Sequence, residues 1–260
     1  MATQPSPDQS GAPFPTRRDE AWRYSDMDAL ATLDVGRFDD WRDIDVAAGE
    51  SFTECLVLDG EGAAELRRFR IHIGDGGTCA MFAVNAAAQL GRIEMVVQLG
   101  DGAHFEFGGV TLGGGDTTRE FVTRVAHEKP NATSNQVVRA VHWDKGTGNF
   151  LGRIDVVRDA QKTDAAQSFK GLLMNKGASA NAVPQLEIYA DDVKCAHGAA
   201  VGQLDEMARY YMAARGITPE TAKKLLVRAF LADAFVALDD EAERDRMLET
   251  ALTALEEAKL

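Results

Sequence analysis

Cys195 and His197 stand two residues apart in the run PQLEIYADDVKCAHGAAVGQLDE, which spans Pro184 to Glu206. A thiol and an imidazole are soft and borderline metal ligands, and both bind iron. In extended backbone, residues two apart project to the same side. The spacing would therefore present sulfur and ring nitrogen on one patch, with Lys194 placed to favour the thiolate. Two ligands leave a four-coordinate site half filled, so another chain, or the sulfides of a cluster, would have to supply the rest. The plainer reading is a small buried thiol beside a histidine hydrogen-bonded at a strand end, and spacing alone favours it.

The elements that must hold this pair read as β structure. Leu186, Ile188 and Ala190 alternate with Gln185, Glu187 and Tyr189 as in a strand. Asp191-Asp192 turns the chain through side-chain-to-backbone bonds, and Val193–His197 resumes an extended pattern until Gly198. Upstream, glycine pairs and clusters separate short apolar runs such as Cys55–Leu58, Phe69–Ile73, Ile93–Val97 and Val137–Val141. This texture predicts an all-β core over residues 51–202. A sandwich, a barrel and a solenoid all fit it, and no fixed-period repeat is visible to decide among them.

On either side the pattern changes. Residues 1–18 form a proline-rich tail with too few apolar groups to pack, expected to be disordered. Residues 19–50 are expected to hold a short helical segment, with Trp22, Met27, Leu30 and Leu33 on one face. Residues 203–260 read as a helical subdomain with a 3.6-residue period. Leu204, Ala208 and Tyr211 mark its first helix, stopped at Arg215-Gly216. Thr218 then caps a second helix with Pro219 at its first position, and its apolar face runs through Ala222, Leu225, Leu226, Ala229, Phe230 and Ala232 towards Phe235. Asp239-Asp240 starts a last helix with Met247, Leu248, Ala251, Leu252 and Leu255 on the buried side.

Other residues carry weaker chemistry. His104, His127 and Glu106 could be drawn as the metal set of a β-helix or cupin-like enzyme, but their spacing is loose. His72 alternates with Ile71 and Ile73 and is expected to face solvent. Gly113-Gly114-Gly115-Asp116-Thr117-Thr118 lacks the Lys-Ser/Thr ending of a phosphate loop and reads as a tight turn. No Gly-x-Ser-x-Gly elbow or His-Glu-x-x-His motif is present. Twenty-eight basic and 41 acidic side chains give a formal charge of −13, a field that repels nucleic acid and anionic membranes. No apolar run approaches the roughly 18 residues of a membrane span. Three scattered cysteines, Cys55, Cys79 and Cys195, suit reduced thiols in a cytoplasmic protein rather than a disulfide framework.

The run LEIYADDVKCAHGAAVGQLDE, followed by Arg215-Gly216-Ile217, closely resembles the shared C-terminal core of the SufB/SufD family, scaffold proteins of the Suf iron–sulfur cluster assembly system. The likeness continues upstream through Phe150-Leu151-Gly152-Arg153-Ile154, Ala160–Ala165 and Leu172-Leu173-Met174, and returns at Pro15–Tyr24. It is strong over roughly residues 127–235 and thin over about 50–126. It implies a mainly β protein, a right-handed parallel β-helix core with a C-terminal helical subdomain. It implies a non-catalytic scaffold on which a nascent iron–sulfur cluster is held transiently between this chain and SufB, at His197 and, more weakly, Cys195. It further implies that the C-terminal helices dock the SufC ATPase, with Tyr211, Arg215, Lys224, Arg228 and Phe235 as contact residues. An isolated chain could form a homodimer through the same β edge. A SufB-like chain would need a further cluster cysteine upstream, where residues 56–194 hold only Cys79, so the SufD side of the family is the better match. A full SufD pattern also has a helical domain ahead of Pro15–Tyr24, of which this sequence carries almost nothing.

Overall fold

The structure is a computed structural model that describes residues 14–87 and 89–257. Most of the expected tail, residues 1–13, lies outside the described residues. Two six-stranded sheets face each other. One contains β1 (Arg42–Val46), β3 (Ala64–Ile73), β5 (Leu90–Leu99), β7 (Thr118–His127), β9 (Thr147–Val156) and β11 (Ser179–Ile188). The other contains β2 (Ser51–Leu58), β4 (Thr78–Asn85), β6 (His104–Gly113), β8 (Thr133–His142), β10 (Asp164–Leu173) and β12 (Lys194–Gly202). Consecutive strands alternate between the sheets, and the pairs within each sheet are parallel. Each strand is thus the crossover that its neighbours on the opposite sheet require. The result is a parallel β-solenoid of about six coils, with the β core beginning at Arg42, inside the segment expected to be helical.

The coils repeat in space but not at a fixed sequence interval. Ala64 pairs with Leu90 in an early coil, whereas the step from Thr147 to its partner Ser179 in a late coil is several residues longer. One corner shows the repeat directly. Gly49, Gly76 and Gly102 have φ of 71°, 66° and 63°, and the equivalent places in later coils are Asn131 at 61° and Lys162 at 66°. Each donates its N–H to a carbonyl one coil further on, from Gly49 to Asp75 at 2.9 Å through Lys162 to Asp192 at 2.6 Å. The left-handed backbone is common to all five, while the residue type is not.

The interior is an apolar column that includes Ile73, Met95, Phe105, Phe107, Phe121, Val138, Phe150 and Phe169. The outer face of the even sheet is also covered. Helix α3 (Pro219–Ala232), the single turn Asp233–Phe235 and helix α4 (Glu241–Glu257) pack Val227, Leu231, Phe235, Met247 and Leu248 onto Phe82, Val110, Leu112 and Val141. Gly108 permits this contact, because a Cβ there would lie 2.0 Å from the Ala234 carbonyl. Arg139 closes it, donating to Asp233 at 2.9 and 2.5 Å. Thr218 caps α3 as expected, accepting from Thr221 N–H, and Asp240 caps α4 by accepting from Ala242 and Glu243. The α3 face differs from expectation. Val227 and Leu231 are buried and Leu225 is exposed, because the face that carries Val227 and Leu231 is the one packed onto the sheet.

The N-terminal segment covers part of the odd sheet. It consists of the turn Glu20–Trp22, helix α1 (Met27–Leu30) and the turn Val35–Asp39. Trp22 and Leu30 pack against Leu66 and Leu90 with Met27 and Leu33 beside them. Beneath them Arg92, fully buried, lies 3.7 Å from the Trp22 ring and donates to Glu120 at 2.8 Å and to the Ala21 carbonyl at 2.9 Å. The Pro15–Tyr24 motif is therefore tied to the sheet through a neutralised buried ion pair.

Candidate functional site

Register assigns the inward positions of the last coil. Cys195 pairs with Ala165 and His197 with Gln167, both buried in the core. Cys195, His197, Ala199 and Val201 therefore share the inward parity of β12. On β11, Ala180 and Ala182 pack on the core column and Leu186 joins the cluster of Ile154, Val156 and Cys195. No further coil covers these residues among the described residues. Cys195 is half-buried and His197 exposed although both hold inward positions. Sulfur and imidazole stand together at the mouth of an open solenoid.

The mouth is also a double edge. Among the described residues, β11 pairs only with β9, and β12 only with β10. Two strands of 10 and 9 residues thus present unpaired backbone donors and acceptors, beside Ile188 and Val201 at 38% and 47% exposure. Long, flat edges of this kind pair with other chains.

The electrostatics differ from expectation at one point. The Cys195 thiol is held above its ordinary range, first by burial and then by the Asp164 carboxylate. Lys194 does not offset this, because neighbouring residues on a strand point to opposite sides and its side chain is exposed. Asp164 is invisible as a neighbour in the sequence, since it comes alongside only after a full coil of chain. Gln167 was missed for the same reason. Its Oε1 and the Nε2 of Gln136 lie buried without partners, and each such orphan costs about 1–3 kcal/mol.

The other candidates separate. His104 and Glu106 flank the inward residues Phe105 and Phe107 and so face outward. They lie 3.5 Å apart, with His104 Nδ1 on Thr133 Oγ1 at 2.7 Å. His127 points inward onto Ser134 at 2.9 Å, and burial pushes its pKa down to about 4. The wall of the solenoid stands between them, and among the described residues no three His, Cys, Asp or Glu side chains gather as a metal set. His72 is exposed. Gly113–Thr118 joins β6 to β7 as a turn, with no helix behind it.

The expected docking residues divide in the same way. Helix α2 (Glu206–Ala214) has no buried residue and displays Met207, Tyr210 and Tyr211 at 73%, 74% and 59% exposure. Arg215 lies 5.1 Å from the Tyr211 ring. Lys224 and Arg228 are exposed on α3 and border a groove of about 220 Å³ floored by Val227, Leu252 and Leu255. Arg228 pairs there with Glu249 at 2.6 Å. Phe235 is not a contact residue. It is fully buried between the helices and the even sheet, and truncating it would cost about 3–5 kcal/mol of stability.

A family model described as "SUF system FeS cluster assembly, SufBD core domain" matches residues 31–230. The chain is 41% identical over 126 residues to "Iron-sulfur cluster assembly protein SufD" of Escherichia coli, an alignment covering 48% of this chain and 30% of that protein. It is 33% identical over 165 residues to "Protein ABCI7, chloroplastic" of Arabidopsis thaliana, covering 63% and 35% respectively. It is 32% identical over 133 residues to "Iron-sulfur cluster assembly protein SufD" of Bacillus subtilis, covering 51% and 30%. The aligned part is thus about a third of the length of these relatives. No helix among the described residues is long and apolar enough to cross a membrane. With the solenoid, the family match and these relatives taken together, the chain belongs to the SufBD core family of the SUF iron–sulfur cluster assembly system.

Proposed function

We propose that this chain is a SufD-like scaffold subunit, on which iron–sulfur clusters are built and from which they are handed on. The observation that carries the reading is the uncapped last coil, with Cys195 and His197 inward on an unpaired edge. Docking a SufB-type coil against β11 and β12 would continue both sheets, cover Leu186, Ile188 and Val201, and complete the ligand set around His197, with Cys195 as the second donor. The cluster is cargo, transient and shared between the two chains. A half-site split across an interface releases its contents when the chains part, which a closed set of cysteine ligands in one chain would not do. Because Cys195 is a thiol in the isolated chain, iron must displace its proton on binding.

The chain itself would catalyse no step. Helices α2 and α3 offer Tyr211, Arg215, Lys224 and Arg228 to a SufC-type ATPase, whose turnover would strain or open the shared site. The same open edge supports a homodimer when SufB is absent. A cytoplasmic protein with neither nucleic acid nor membrane as partner fits the charge of −13.

The test is co-expression with SufB and SufC, followed by sizing and iron and sulfide assay. His197→Ala is expected to leave the complex assembled and to lower its cluster content at least tenfold. A normal cluster yield from that variant overturns the reading.

A further inference from the structure

We propose that His104 and Glu106 form a second metal site, a two-ligand seat for a divalent transition-metal ion of the zinc class on the outer face of the even sheet. It stands apart from the proposed cluster half-site. Its residues lie at the start of β6, three coils before Cys195 and His197, and on the outside of the wall.

Alternation along β6 sets the pair side by side. Phe105 and Phe107 enter the core, so His104 and Glu106, two residues apart, share the outward side. Register then places Thr133 of β8 beside His104 and Asn135 beside Glu106, at the strand spacing of about 4.8 Å. Each neighbour engages one atom of its partner. Thr133 Oγ1 lies 2.7 Å from His104 Nδ1, and Asn135 Nδ2 donates to Glu106 Oε1 at 2.8 Å. The other two atoms, His104 Nε2 and Glu106 Oε2, are left 3.5 Å apart.

That separation is longer than a hydrogen bond from a ring N–H to a carboxylate, which closes to about 3.2 Å or less. It suits two ligands of one ion. Zinc bonds of about 2.1 Å to nitrogen and oxygen, ending 3.5 Å apart, meet at about 113°, close to the tetrahedral angle. The surroundings are those that ligands need. A ligating imidazole gives its second N–H to an oxygen, and a ligating carboxylate is held by a hydrogen bond of its own. Thr133, whose hydroxyl accepts as well as donates, and Asn135 supply both. Imidazole with carboxylate suits zinc and the neighbouring transition metals better than magnesium or calcium. No third His, Cys, Asp or Glu joins the pair among the described residues, so water completes the shell. The His104 side chain, 37% exposed, leaves the approach open.

The test uses the full chain carrying Cys195→Ser and His197→Ala, which removes the ligands at the mouth. It is labelled with ¹⁵N-histidine and titrated with Zn²⁺ alone. Calorimetry is expected to find one ion per chain. The ring nitrogens of His104 should shift, while those of His72, exposed on the odd sheet, stay in place. His104→Ala and Glu106→Gln are each expected to abolish that binding with the fold retained by circular dichroism. Thr133→Val and Asn135→Leu keep both ligands and are expected to weaken Zn²⁺ about tenfold, the effect of losing an outer hydrogen bond to a ligand. Zn²⁺ that binds equally to the parent and to His104→Ala, or a parent that binds none, would leave an ordinary surface ion pair and overturn the proposal. Neither result touches the reading of Cys195 and His197, whose side chains are missing from every protein in the titration.

Discussion

At the β1–β2 end of the solenoid, Arg42 and Glu54 occupy inward positions, in register with Phe69 and Met81 of the core. Their side chains meet at 2.5 Å across the mouth. The edge strands there are 5 and 8 residues long. At the β11–β12 end the strands are longer and the inward residues, among them Ala180, Ala182, Leu186, Cys195, His197, Ala199 and Val201, include no Asp, Glu, Lys or Arg. At both ends the last strands lack an outer partner among the described residues, so beyond strand length the difference lies in side chains. A charge pointing inward makes it costly to dock another apolar coil, whereas small apolar residues and ligands invite one. The proposed pairing at one end and not at the other would need this asymmetry.

The histidines divide along the same line, and acid should expose the division with the largest effect. His197 stands in solvent, while His127 and His142 are sealed in the middle coils, the latter on Thr111 at 3.0 Å and the Gly113 carbonyl at 3.2 Å. Burial pushes their pKa values down to about 4 and about 3. An unfolded chain takes up a proton at each near pH 6.5. Below that pH the unfolded state binds more protons, so stability falls as the pH drops towards the folded values. The loss is on the order of 3 kcal/mol per histidine by pH 4, enough to unfold a marginal protein. Urea titrations from pH 7 to pH 4 should show it, and His142→Gln should remove about half of the slope. An unchanged slope would mean that the middle coils are not sealed.

Next in size is a change that makes the open end resemble the closed one. Val201 is 47% exposed and meets the core beside Gly171, where a Cβ would lie 3.5 Å from it. Val201→Glu should therefore leave the melting temperature within about 2 °C. Buried by a partner, the carboxylate would be unpaired, so affinity for SufB, or for a second copy, should drop at least 100-fold, consistent with about 2–5 kcal/mol for such a charge. Thermal melts read the first and analytical ultracentrifugation the second. Pairing that survives this variant would move the interface away from β11 and β12.

How much of this was legible beforehand follows from the period of each element. Helical spacing and caps identify α3 and α4 because both ends and the buried face of α4 lie within 17 contiguous residues. Strand alternation finds β2, β3, β5 and β8 and the shared side of Cys195 and His197. It cannot say whether that side looks into a core or out to solvent. That depends on register across a coil, whose length grows between the early and late coils while the corner changes from Gly76 to Asn131 to Lys162. Gln167, Asp164 and Glu54 matter through neighbours a whole coil away, and no local pattern marks them. Phe235 misled because an aromatic at the end of an amphipathic helix reads alike whether the helix lies on its own sheet or on a partner.

The converse of Val201→Glu tests the closed end. Arg42 is 54% exposed at its side chain and Glu54 19%, so their ion pair contributes at most about 1 kcal/mol. Glu54 Oε2 is buried without a partner. Replacing both, as Arg42→Leu with Glu54→Leu, should alter stability by no more than about 1 kcal/mol. It should also create a second apolar mouth, so that the variant associates end to end and sediments as species larger than a dimer. A variant that keeps the native distribution would show that the charges do not govern closure.

The smallest effect is expected at the corner nearest the open end. Lys162 holds φ of 66° where the earlier coils use glycine, a strain of about 1–2 kcal/mol for a residue with a Cβ. Its backbone N–H reaches the Asp192 carbonyl and its Nζ pairs with the Asp192 carboxylate, so it ties the last coil to the one below. Lys162→Gly relieves the strain, loses an ion pair whose partners are 64% and 66% exposed, worth about 0–1 kcal/mol, and adds unfolded-chain entropy of about 0.5–1 kcal/mol. These terms nearly cancel, so chemical denaturation should place the variant within about 1 kcal/mol of the native chain. A loss above about 2 kcal/mol, more than an exposed ion pair supplies, would identify the Lys162–Asp192 pair as a strut that holds the open coil in shape for its partner.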